Sequence, residues 1–287
     1  MKISHEVPVA LLTKSKDFND YDYALVHLFE TNPDYYNFYK ESIALGRSVV
    51  LDNSAFELGQ AFDSDKFAHW ITELQPTEYI IPDIIGNGNA TANSVEEWIN
   101  KYNLPGIKIG VVQGKTLDEF VECYNRIFPL VDKIAICFNY PFLVNDLGYN
   151  NIPISYDDET GDAITAKTIF SDYDQFKLAE YSMNRPLLVE YIRDNLPTKP
   201  THLLGCSVPQ EFMYYRDQVN VYNRPAFDFL ESCDTSNPIV HAINGIKYQD
   251  YGLDNKISTK LIEYLNHDNF DMELIEHNVK LFRSFVK

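Results

Sequence analysis

Cysteine is scarce and unpatterned in this chain. Four of 287 residues are cysteine (Cys123, Cys137, Cys206 and Cys233), far apart and without CxxC spacing. That argues against a disulfide-stapled scaffold or a compact thiolate metal site, and leaves buried, reduced thiols as the expected role. Positive charge is scarce as well. The 24 Lys and Arg face 42 Asp and Glu, a formal net charge of −18. Such a balance works against non-specific nucleic-acid binding, which rests on Lys and Arg neutralising phosphates. Long apolar runs are missing too. The N-terminal stretch Val7–Leu12 is only six residues long. It is too short for a signal-peptide core, and no segment approaches the ~18 apolar residues of a membrane span. The expectation is a soluble, cytoplasmic protein with no membrane association.

Several motifs are absent. There is no GxGxxG after a strand and no GxxxxGK[ST], so nucleotide phosphates have no recognisable cradle. The seven histidines form no HxH, no HExxH and no compact cluster with cysteine, so no metal or other cofactor is expected. No GxSxG elbow supports a serine hydrolase. His202 and His241 fall near the expected functional face, where a structural role is the simpler reading.

What is present is ordinary globular composition, 45% hydrophobic and 23% charged, with a regular alternation of short apolar runs and helical patterns. Strands are expected at Val9–Leu12, Tyr23–Leu28, Ser48–Leu51, Tyr79–Pro82, Ile107–Val112, Lys133–Cys137, His202–Leu204 and Ala226–Leu230. Nearly continuous apolar runs of this kind suit parallel strands buried on both faces. Helices are expected at Pro33–Ala44, Ser64–Leu74, Ala92–Lys101, Leu117–Phe128, Leu187–Asn195, Pro209–Arg216, Lys256–Leu265 and Met272–Phe285. Eight βα candidates over this length predict an α/β fold, a single-domain (β/α)8 TIM barrel over 1–287, with a doubly wound open sheet as the alternative. Asn139 to Asp174 reads as an irregular, acidic insertion, and 255–287 as C-terminal helices.

In a barrel, the working residues sit at the C-terminal ends of the strands. Those positions here carry Asp52-Asn53, Asp83, Gln113-Gly114, Leu204-Gly205 and, after the last candidate strand, Asp234. Three carboxylates and an amide at one mouth suit a polar heterocycle, whose ring N–H and amino groups donate to carboxylates. Two facing carboxyls can also divide nucleophile and acid/base roles at an anomeric carbon. Each residue has a plainer reading. Asp52 and Asp83 suit caps, Asp234-Thr235-Ser236-Asn237-Pro238 suits a turn, and Phe56 suits a core.

Together these strand ends resemble the guanine-transglycosylase family, barrel enzymes that exchange guanine in nucleic acid for a 7-deazaguanine. VVLDNSAFELG (Val49–Gly59) is similar to the family's TDSGGFQ-type motif, and IIPDIIG (Ile80–Gly86) to the strand whose aspartate reads the guanine edge. VVQG (Val111–Gly114) resembles the Gln-Gly motif, and THLLGCSVPQEF (Thr201–Phe212) the YLMGVGxPEDL segment. FDFLESCDTSNP (Phe227–Pro238) resembles DMFDCVxPTR. The resemblance covers about residues 48–245. It implies Asp234 as nucleophile and Asp52 as acid/base residue. Asn53, Phe56, Asp83, Gln113, Gly114, Leu204 and Gly205 would bind the base, with Asp83 and Gln113 selecting the purine and Phe56 and Leu204 sandwiching it.

The sequence departs from the family pattern at Asn53-Ser54-Ala55, where Ser-Gly-Gly is usual. It lacks the PTR arginine and the C-terminal CxCxxC zinc site of the tRNA-modifying members. It is therefore more similar to the compact phage and bacterial relatives that place 7-deazaguanines, such as 7-cyano-7-deazaguanine, in DNA. The implied partners are DNA, with tRNA as the alternative, and a 7-deazaguanine base. A partner protein or a homodimer is a further expectation. The implied compartment is the cytoplasm, the host's if the chain is phage-encoded. Arg185, Arg193, Lys199, Lys247, Lys256 and Lys260 form a candidate basic strip for DNA, or else scattered solvated charges. A metal-dependent barrel hydrolase and a non-catalytic base-binding subunit are the rival readings.

Overall fold

The computed structural model describes residues 1–138, 140, 142, 153–156, 159–165, 173–216 and 226–287. Eight parallel strands form a nearly closed barrel with alternating helices. The barrel strands are β1 (Lys2–His5), β2 (Asp22–Leu25), β3 (Val49–Asp52), β4 (Glu78–Ile80), β5 (Ile107–Val111), β6 (Lys133–Ile136), β9 (Thr201–Leu203) and β10 (Leu230–Thr235). A small antiparallel pair, β7 (Pro153–Tyr156) and β8 (Ala163–Thr165), follows β6. The helices are α1 (Leu12–Ser15), α2 (Pro33–Ala44), α3 (Ala55–Leu58), α4 (Ser64–Leu74), α5 (Gly88–Lys101), α6 (Leu117–Ile127), α7 (Tyr173–Asn195), α8 (Glu211–Arg216), α9 (Asn237–Ile243) and α10 (Met272–Val286). Most of the expected insertion at 139–174 lies outside the described residues.

The strand order β1-β10-β9-β6-β5-β4-β3-β2 runs once round the barrel. The ends of that order meet at β1 and β2, where side chains complete the seam. Asp20 Oδ2 accepts from Ile3 N–H at 3.0 Å, and Asn19 bonds both backbone groups of His5. Arg283 on α10 clamps this seam from outside, reaching Phe18 O and Asp20.

The helices form where sequence supplies both a cap and an apolar stripe. Asn32, Asp63, Asn87, Thr116 and Asp271 each accept a backbone N–H at the start of α2, α4, α5, α6 and α10. In α6 the buried Phe120, Cys123, Tyr124 and Ile127 fall on one face at helical spacing.

Three expected elements are corrected. Val9–Leu12 is no barrel strand: Val9–Leu11 is a 3-10 turn running into α1, and the first strand is the more polar Lys2–His5. The last strand is Leu230–Thr235, not Ala226–Leu230, so Asp234 lies within the strand. It looks polar because Ser232 and Asp234 serve as hydrogen-bonding partners of His202. Finally, Lys256–Leu265 is not a helix. It is an irregular segment with one 3-10 turn at Leu261–Glu263, held by side chains of other elements.

Candidate functional site

A cavity of about 560 Å³ opens at the C-terminal ends of the strands. Asp52, Asn53, Phe56, Asp83, Gln113, Gly114, Leu204, Gly205 and Asp234 all line it. Residues drawn from five separate stretches of sequence thus share one space. Glu6, Tyr23, Cys137 and Phe138 line it with them.

Asp83 is the most thoroughly braced group. Asn53 Nδ2 donates to its Oδ1 at 2.8 Å, and Gln113 Nε2 donates to its Oδ2 at 2.7 Å. Gln113 Oε1 in turn accepts from Gly86 N–H at 3.0 Å. The Gln113 amide is therefore occupied at both ends, and it acts on the cavity by fixing Asp83. Burial pushes the Asp83 carboxyl up, and the two amides oppose that by stabilising its anion. Asp83 does not cap α5, whose N-cap is Asn87. Gly114 has a steric reason, since a Cβ there would lie 2.6 Å from Phe120 N.

Asp234 is held from a different side. His202 Nε2 sits 2.9 Å from Asp234 Oδ1, and Gly205 N–H donates to the same oxygen at 3.2 Å. The other His202 nitrogen contacts Ser232 Oγ at 2.9 Å. The imidazole is fully buried and stacks on Tyr23 with centroids 5.9 Å apart. It is thus a fixed strut whose far nitrogen aims at the carboxylate. Gly205 adopts φ +63°, and a Cβ there would come within 2.9 Å of Phe138. Both its torsion and its close approach call for glycine.

Glu6 lies just past β1 and is tied to β10 by Glu6 N–H donating to Thr235 O at 3.1 Å. Its carboxyl lines the cavity beside that of Asp234. Burial, then the neighbouring charges of Asp234, Glu57 and Asp52, push the Glu6 carboxyl well above its usual range. Glu6 therefore favours its neutral, protonated form.

Asp52 is pushed up to about 8, first by burial and then by Asp234, with Asp83 adding to the effect. Its Oδ2 accepts from Ser54 N–H at 2.9 Å, while Asn53 Oδ1 accepts from Ala55 N–H at 2.8 Å. These two Asx turns fold the chain back into α3. They leave Ser54 at φ 61°, a left-handed conformation where the resembling family carries glycine. An L-residue held there costs of order ~1 kcal/mol or more. The fully buried Ser54 is further fixed by its Oγ, which accepts from His27 N–H at 3.3 Å.

The rim is aromatic. Phe56 is 44% exposed and packs edge-on to Phe138, with centroids 5.5 Å apart. Leu204 is half-buried on the opposite side of the sequence motif order, at the end of β9.

The candidate basic strip does not exist as a surface. Arg185 is fully buried, paired with Glu211 at 2.7 Å and donating to the carbonyls of Leu204 and Gly205. It supports the loop that carries the Asp234 contact. Arg193 pairs with Glu190 and Asp194, and Lys199 bonds the carbonyls of Phe128 and Val131. Lys247 is exposed, and of these six only Lys256 and Lys260 stand at a cavity rim, while Lys115, outside the expected strip, lines the main cavity.

Sequence reasoning missed Glu6, because the first strand was placed seven residues too late. It also left His202 as a structural residue, although its place opposite Ser232 in the β9–β10 register is the signal that pairs it with this strand. Among the described residues, no group of three or more His, Cys, Asp or Glu is arranged to hold a metal ion. No helix there is long and apolar enough to cross a membrane. No family model matches the chain, and no curated protein matches it.

Proposed function

We propose that this chain is a base-exchange transglycosylase that replaces guanine in DNA with a 7-deazaguanine through a covalent glycosyl intermediate. One observation carries the reading. A half-buried acid poised near neutral pH, Asp52, shares a cavity with the oriented carboxylate Asp234 and with a carboxyl braced by two amides, Asp83. Environments that separate the proton affinities of nearby carboxyls assign acid, nucleophile and recognition roles.

The steps follow from those roles. Asp83, fixed by Asn53 and Gln113, accepts hydrogen bonds from the N–H edge of guanine. An Asp234 oxygen attacks C1′ of the target nucleoside. The C1′–N9 bond breaks, its electron pair leaves with guanine, and Asp52 supplies the proton. Asp234 now holds the sugar as an ester. The incoming 7-deazaguanine gives its N9 proton to the Asp52 carboxylate, and N9 attacks C1′ while the Asp234–sugar bond breaks. Two displacements on one carbon give net retention. Glu6 keeps its proton throughout, so it adds no charge beside the departing carboxylate. In a duplex the target nucleotide has to leave the stack, at a few kcal/mol.

Exchange of radiolabelled guanine into single-stranded DNA, duplex DNA and tRNA tests the reading, with and without chelator. Label in DNA is the expected result, unaffected by chelator. Label confined to tRNA retains the chemistry and changes the substrate. Hydrolysis that needs divalent ions, with no label in either, overturns it in favour of a metal-dependent barrel hydrolase.

A further inference from the structure

A second cavity of about 370 Å³ adjoins the first and shares Phe56, Phe138, Cys206 and Thr259 with it. Both volumes fall in the ~300–1,000 Å³ range of ligand pockets. Among the described residues, its remaining wall is Tyr181 and the segment Lys256–Lys260. Lys256 Nζ lies 4.3 Å from the Tyr181 ring centroid and 5.7 Å from that of Phe138. Lys260 Nζ lies 5.2 Å from the Phe56 centroid. Aromatic faces hold an ammonium in place without neutralising it.

Neither ammonium has a carboxylate within ion-pair distance among the described residues. That is unusual in a chain of net charge −18. The acids nearby make their hydrogen bonds elsewhere, although Glu57 feels the charge of Lys260. Glu57 accepts the N–H groups of Leu261 and Ile262, and Glu263 faces Ser258 Oγ. Burial lowers the affinity of Lys256 for its proton, so an anion beside it is favourable. The segment is fixed as well as unpaired. Ser236 Oγ donates to Thr259 O, and Glu57 anchors the residues just beyond Lys260. The two anchors come from beside β3 and β10, the strands that carry Asp52 and Asp234.

We infer that this second cavity holds the nucleotide next to the exchanged one in a single-stranded polynucleotide, its base against Phe138 and Tyr181 and its phosphate on Lys256 and Lys260. The identity of the exchanged nucleotide rests on the proposed function, but the flanking site is tested without it. Base–aromatic stacking is worth about 1–3 kcal/mol and tolerates any base. A lysine ammonium serves a phosphate as a point charge. A paired duplex keeps the neighbouring base stacked, so filling both cavities requires extruding two bases at a few kcal/mol each. A free nucleoside fills only one cavity. The site thereby reconciles a polynucleotide substrate with an acidic protein, because the flanking phosphate needs only one anchored pair of lysines.

The probe is a fluorescein-labelled octamer of deoxythymidine with one central deoxyguanosine, alongside its RNA counterpart and its duplex. Binding is followed by anisotropy over a salt series, in an Asp234→Asn background so that no adduct forms. The single strand should bind more tightly than the duplex. Lys256→Gln with Lys260→Gln should weaken it about tenfold and flatten the slope of log K against log[salt] by about 0.7, the contribution of one single-strand phosphate. The pair Lys256→Arg and Lys260→Arg should restore the slope, and binding of free guanine should stay within about twofold throughout. Equal affinity and slope in the glutamine variant, failure of the arginine pair to restore them, or a duplex bound as tightly as the single strand would each overturn the inference. The DNA and RNA arms identify the polymer. The two proposals fail separately. Lysine-dependent binding without guanine exchange removes the exchange reading alone, and exchange with lysine-independent binding removes this site alone.

Discussion

The two ends of the barrel treat charge in opposite ways. At the N-terminal ends of the strands every buried charge is matched. Lys133 bridges Glu78 at 2.7 Å and Glu231 at 2.9 Å, Arg47 pairs with Asp22 at 2.8 Å, and Arg283 with Asp20 at 2.7 Å. At the C-terminal ends, Glu6, Asp52, Asp83 and Asp234 share one cavity, and among the described residues none has a Lys or Arg within ion-pair distance. Their hydrogen-bond partners there are amides, a histidine and backbone N–H groups. Matched charge stabilises a fold. Unmatched carboxyls crowded in a low-dielectric pocket raise one another's proton affinity, which costs stability and creates acids able to work near neutral pH. This division agrees with the general rule that barrels keep stability at one end and chemistry at the other.

The largest way to break the comparison is at Asp234. Asp234→Asn keeps the size and the His202 contact but removes the nucleophile, so exchange should fall by at least ~10³-fold, as measured by label incorporation. Retention of more than a tenth of the rate would leave Asp234 without its assigned role.

Asp52→Asn sharpens the comparison because two effects have opposite signs. Exchange should drop by ~10²–10⁴-fold through loss of the acid. Stability should rise. A carboxyl whose folded value is raised contributes fully below its unfolded value and loses that contribution as pH climbs to the folded one. For Asp52 the window runs from the ordinary aspartate value of 3.8 up to about 8. The asparagine variant should therefore gain over wild type across that window, reaching about 1–3 kcal/mol near pH 8 by denaturant titration. Wild-type kcat/KM for the nucleic acid should also decline above about pH 8, where Asp52 loses its proton.

At the opposite end the signs reverse. Lys133→Met leaves Glu78 and Glu231 facing each other without a cation. It should destabilise the chain by about 2–3 kcal/mol, below the ~3–5 of a fully buried pair because Glu231 is partly exposed. Exchange kinetics of the folded protein should be unchanged. A smaller effect is expected at Gln113→Ala, which frees one Asp83 oxygen and weakens base binding by about 10–100-fold, seen in KM more than in kcat.

Much of the barrel is legible in the sequence, for physical reasons that also explain what is not. Runs such as Ile107–Val111 and Lys133–Ile136 announce themselves because strands buried on both faces carry apolar side chains. β1 and β10 line the cavity's acidic side and carry Ser4, Ser232 and Asp234, so their pattern lacks that signature and both were misplaced. Glu6 was lost with β1. Asp52 and Asp83 were legible because they end or follow apolar strands, whereas Asp234, inside a polar strand, stood out only through the resemblance. The supports around them were not, since His202 beside Asp234, Arg185 under the Gly205 loop and Glu57 on the Leu261 segment act across distances that only the closed barrel brings together. Arg185 is the sharpest case, a residue read as surface charge that is fully buried under the Gly205 loop.

The most direct test of the account is to find where the sugar is held during exchange. The wild-type chain would be mixed with a guanine-containing oligonucleotide, denatured, digested and analysed by mass spectrometry. The account predicts an ester to C1′ on the peptide containing Asp234, discharged when a 7-deazaguanine is added before denaturation. An adduct on Asp52, Asp83 or Glu6, or steady exchange with no adduct under any quench, would contradict it.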